Sequence, residues 1–141
     1  MGIMHSVKIK VHAFFQENSI ELILQQAVDA RYKLYIAEDY EYFKPEKNSI
    51  ISPRTATKTI FKIYQETNYG GPIIAKLDET EVLLSFNFEN PYLIVKITLF
   101  SNDWEKEFPN GESQKDFARY ISFLLKITQD FPISNLEIKY L

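Results

Sequence analysis

Two histidines and one glycine pair are the residues of this chain whose types could do chemistry. His5 and His12 are the only imidazoles among 141 residues, and there is no cysteine. That absence removes disulfides, thiolate zinc sites and cysteine nucleophiles together. A metal or acid–base centre would have to gather His12 with remote carboxylates. His12 sits in "VKIKVHAFF", residues 7–15, where Val7, Ile9, Val11 and Ala13 alternate with Lys8, Lys10 and His12. The pattern predicts a half-buried strand with His12 on its solvated face. No G-x-S-x-G elbow occurs, and a serine–histidine pair would have to use His5 or His12. Nineteen acids are present, and carboxylates can pair in space without any mark in the sequence. No residue is therefore assigned a catalytic or metal-binding role, and no cofactor is expected.

The glycine pair lies in "ETNYGGPIIAKL", residues 66–77. Backbone N–H groups of paired glycines can wrap a phosphate when the loop leads from a strand into a helix N-terminus. Gly70-Gly71-Pro72 reads instead as a turn between two strand-like runs. No cation lies within it, the nearest being Lys62 and Lys76. A positive φ at one or both glycines is expected.

Surface composition is more telling. Acids and aromatic rings coincide in "AEDYEYF", with Asp39, Tyr40, Glu41 and Tyr42, and in "NDWEKEF", with Asp103, Trp104 and Glu105. A third acidic turn, "LDETE", reads as solvated. Rigid amphipathic rings at the centre of a patch with charges at its rim suit protein recognition. Aromatics make up 15% of the chain, more rings than a core this small needs. The net charge of −3 and the lack of a basic stripe disfavour nucleic acid. No apolar run reaches 18 residues, so no membrane-spanning helix is expected, and no signal-peptide pattern is visible. Met1-Gly2-Ile3-Met4-His5-Ser6 matches the myristoylation pattern, a short motif that arises by chance. With no disulfides, a cytoplasmic location is expected.

The elements that must position these residues follow from periodicity. Ile20, Ile23, Leu24, Ala27 and Val28 form an apolar helix stripe over residues 18–32, with Asn18 as N-cap, and Arg31 continues its spacing. A strand opens residues 33–43, and a loop runs from Lys44-Pro45 to Ser52-Pro53. Residues 57–66 and 73–77 read as strands. The hairpin "EVLLSFNFENPYLIVKITLF" is best determined. Pairing Phe88 with Leu93 sets Phe86 against Val95, Leu84 against Ile97 and Val82 against Leu99, all eight on one face. Pro91 points to a four-residue connection rather than a type I′ pair. Residues 101–112 read as a polar loop. A helix follows over 113–130, with Ser113 as N-cap and Phe117, Tyr120, Ile121, Leu124, Leu125 and Thr128 inward. Residues 134–140 close the chain as a strand.

The order β-α-β, central meander, α-β predicts one α+β domain spanning 1–141. Its sheet is largely antiparallel with two helices on one face, loosely ferredoxin-like with an enlarged middle. A chain of this length buries roughly 68–70% of its unfolded surface. The expected function is a small acidic, non-enzymatic protein-binding module, such as an inhibitor or immunity-type protein neutralising a basic partner. One alternative is a secretion-chaperone or adaptor-like dimer that uses an edge strand or an outer sheet face carrying Tyr92 and Ile94. The other is a ligand-binding protein or enzyme with an aromatic-lined pocket between sheet and helices.

Overall fold

The computed structural model describes residues 5–13, 16–36, 50–68, 73–77, 80–89, 92–99, 105–107, 113–115 and 117–140. The first strand, β1 (His5–Val11), leads to α1 (Glu17–Asp29) and β2 (Lys33–Ile36). α2 (Pro53–Thr67) follows, then β3 (Ile73–Leu77), β4 (Thr80–Glu89) and β5 (Tyr92–Leu99). A short hairpin, β6 (Glu105–Glu107) with β7 (Ser113–Lys115), precedes α3 (Phe117–Ile127) and the last strand, β8 (Ile133–Tyr140).

Six strands form one sheet in the order β2-β3-β4-β5-β1-β8, and every neighbouring pair is antiparallel. The architecture is α+β, as expected. β8 meets β1 as in a ferredoxin-like plan, and β1-α1-β2 is a split βαβ unit whose enlarged middle is β3, β4 and β5. β1 and β2 run in the same direction with three strands between them, so α1 crosses over the sheet. It packs between α2 and α3; α2 contacts β2, and α3 contacts β1 and β5. The core lies between sheet and helix layer, built from Val7, Ile9, Val11, Leu34, Ile73, Leu84, Phe86, Val95 and Ile97 below and Ile20, Leu24, Ile60, Tyr120 and Leu124 above.

The hairpin register is as expected, with Phe88 opposite Leu93, Phe86 opposite Val95 and Leu84 opposite Ile97. Val82, Leu84, Phe86, Leu93, Val95 and Ile97 are fully buried. Pairing runs one step beyond the expected four-residue connection, to Glu89 opposite Tyr92.

Several elements differ from the sequence reading. Residues 57–66 are not a strand but most of a third helix, α2, because the segment starts with a strong helix signal. Ser52 is its N-cap, its hydroxyl accepting from Thr55 N–H at 3.1 Å, and Pro53 takes a first-turn position that needs no N–H. Threonines that favour strands are accommodated by bonding back one turn: Thr57 Oγ1 donates to Pro53 O at 2.7 Å and Thr59 Oγ1 to Thr55 O at 2.8 Å. Residues 105–107 and 113–115 pair as a hairpin rather than lying in a loop and a helix start, so Ser113 is a strand residue and not an N-cap. α3 is rotated from the expected stripe: Tyr120, Phe123, Leu124, Ile127 and Thr128 are buried, while Leu125 is 41% exposed. In α1 the N-cap is Gln16, without a side-chain cap bond, and Asn18 lies inside the helix. The glycine pair joins the end of α2 to β3, not strand to strand, and residues 69–72 lie outside the described residues.

Candidate interaction surfaces

Asp39, Tyr40, Glu41, Tyr42, Asp103 and Trp104 lie outside the described residues. Glu105 opens β6 and stands opposite Lys115; Lys106 stands opposite Gln114 and Glu107 opposite Ser113. This two-stranded sheet is separate from the six-stranded one. A hairpin this short has too few cross-strand pairs to be stable alone in water. The acidic-aromatic segment 103–108 thus runs into a small element added to the fold between β5 and α3.

Around β1 the sheet face away from the helices is charged. Lys8 stands opposite Lys96 on one side and Glu137 on the other, and Lys10 lies between Ile94 and Asn135. Lys10 Nζ pairs with Glu89 Oε1 at 3.1 Å, an exposed pair of small energetic weight. Tyr92 is half-buried and meets the exposed His12 edge to face, ring centroids 5.0 Å apart. Ile94 is only 8% exposed, which leaves little of its apolar surface open. Ser85 is 2% exposed, and among the described residues its Oγ has no hydrogen-bond partner. An unmet buried hydroxyl costs stability.

β8 is an edge of the sheet. On its helix-facing side Ile133 stands opposite Val11 and Leu136 opposite Ile9, yet they are 47% and 37% exposed. The reason is geometric: α3 packs over β1 and β5, leaving the last strand less covered. Nothing in the alternation of residues 134–140 marks this, because an edge strand and an inner strand share the same pattern.

Grooves between α1 and α2 carry mixed charge. One is lined by Glu17, Asn18, Glu21, Arg54, Thr57 and Lys58. Next to it, Leu22 and Gln25 face Ser52, Pro53 and Arg54. Acids from one helix facing cations from the other fit an ordinary helix contact. Among the described residues, no group of three His, Asp or Glu side chains is placed to hold a metal ion. No described helix is long and apolar enough to cross a membrane. The chain matches no protein-family model, and no curated protein or solved structure is significantly similar to it.

Proposed function

We propose that the chain is a cytoplasmic, non-enzymatic protein-binding module whose acidic-aromatic segments engage a basic protein, as an inhibitor or immunity-type protein would. The observation that supports this reading is the separate β6–β7 hairpin, with Glu105 and Glu107 on its first strand. An added element with little pairing of its own gains most from a partner's surface. Trp104 and Tyr40 are the proposed anchors, with Tyr42 in the same surface and Asp39, Glu41, Asp103 and Glu105 as its rim. A basic partner would be drawn in by the chain's negative balance.

Trp104 is the only tryptophan, so its fluorescence reports directly on a captured partner. Trp104→Ala should weaken binding by about 2 kcal/mol or more, mainly through faster dissociation. Neutralising Asp103 and Glu105 should slow association and flatten its salt dependence. Stopped-flow rates at two ionic strengths check this. Association indifferent to both salt and those acids would remove the electrostatic part of the reading.

The uncovered side of β8 favours a second reading, an adaptor-like dimer. An eight-residue edge strand with Ile133 and Leu136 exposed offers an apolar surface to a second strand. Sedimentation should then show a dimer that Leu136→Lys converts to monomer. A monomer at all concentrations would discard this alternative.

A further inference from the structure

A depression of about 490 Å³ opens at the β2–β3 side of the sheet, lined by Arg31, Lys33, Tyr35, Lys76 and Leu77. Three cations share it in a chain whose net charge is −3. Lys33 stands directly opposite Lys76 in the β2–β3 register, and like charges so placed repel. Glu81 lies 3.7 Å from Lys76 and offsets one charge. Among the described residues, Arg31 and Lys33 have no carboxylate partner.

Arg31 carries a second cost. Its φ is 74°, in the left-handed region. The chain leaves α1 through paired bonds, Tyr32 N–H to Ala27 O at 3.1 Å and Arg31 N–H to Val28 O at 2.9 Å. That is a Schellman motif with Arg31 at the position glycine usually fills. A residue with a Cβ is disfavoured there. Both unfavourable features, the strained Arg31 and the opposed lysines, place cations around the same depression.

We propose that this depression binds the phosphate group of a small phosphorylated molecule. Arg31 offers a planar fork suited to two phosphate oxygens, and Lys33 and Lys76 add point charges. A doubly charged oxyanion turns the Lys33–Lys76 repulsion into shared attraction. The volume exceeds what phosphate alone needs and lies within the range of small-molecule sites. The half-buried Tyr35 supplies a ring against which the rest of the ligand rests. This site does not depend on the protein-binding reading and uses none of its residues.

The test is a titration of ¹⁵N-labelled protein with AMP, inorganic phosphate and adenosine at low ionic strength. AMP should shift the amides of Arg31, Lys33 and Lys76 saturably, phosphate more weakly, and adenosine not at all. Equal binding of AMP and phosphate would make the free oxyanion the ligand and overturn the ester. Shifts with adenosine, or none with either anion, would overturn the site. Arg31→Gly separates binding from folding, because the two should move in opposite directions. AMP affinity should fall about tenfold, while Tm should rise by about 3 °C as the strain is relieved. Lys33→Gln should also weaken AMP without lowering Tm. Unchanged AMP affinity in both variants would overturn the assignment.

Discussion

Phe86→Ala should cost about 3–5 kcal/mol of folding stability, the range for losing a large buried ring and leaving a cavity. Phe86 is in β4 and fully buried, paired to Val95, which in turn pairs to Ile9. The three side chains form one row across the centre of the sheet beneath the helices. Rigid strands on both sides limit collapse into the space left behind. A domain stable by about 5–15 kcal/mol would lose a large share of that margin. In urea melts the midpoint should fall with little change in slope, since the surface exposed on unfolding is almost the same. Phe86→Leu, closer in volume, should cost about 1.5 kcal/mol or less. A loss under about 1 kcal/mol for the alanine variant would mean that the row is not packed as described.

That row was legible because two runs of alternating apolar residues constrain each other. A slip by one residue would have turned one strand's apolar set toward solvent. The order of strands was not legible. β1 lies between β5 and β8, far from both in sequence, and local periodicity carries no such information. α3 shows a different limit. Phe117, Tyr120, Ile121, Phe123, Leu124, Leu125 and Ile127 leave few polar positions in the helix. Several stripes fit equally well, and only packing against α1, β1 and β5 selects Phe123 and Ile127 over Leu125.

The surfaces were legible to different depths. Acids beside aromatics are visible in any reading of residues 38–43 and 103–108. The basic depression was hidden for two reasons. Lys33 and Lys76 meet only through strand register. Arg31 fits the spacing of the α1 stripe and so reads as one more helical residue. Its left-handed backbone follows from the helix ending at Asp29 without a glycine to turn it.

The third helix supplies the other large effect. Lys58→Pro should cost about 3 kcal/mol or more, because proline inside a helix removes one backbone bond and clashes with the preceding turn. Lys58 is exposed in α2, five residues past Pro53 and well inside the helix that ends at Thr67. Residues 57–66 read as a strand because Phe61 and Ile63 alternate with Ile60, Lys62 and Tyr64, and β-branched Thr57, Thr59, Ile60 and Ile63 weaken helix propensity. What overrides them is the start signal at Ser52-Pro53 and the inward stripe of Ala56, Thr59, Ile60 and Ile63. Lys58→Ala is the control. It removes the same side chain but keeps the backbone bond, and alanine is the better helix former, so stability should change by no more than about 0.5 kcal/mol. Thermal melts and far-ultraviolet circular dichroism of the pair isolate the backbone term. If the proline and alanine variants melt together, residue 58 is not in a helix interior, and the α2–α1 packing built on it fails with it.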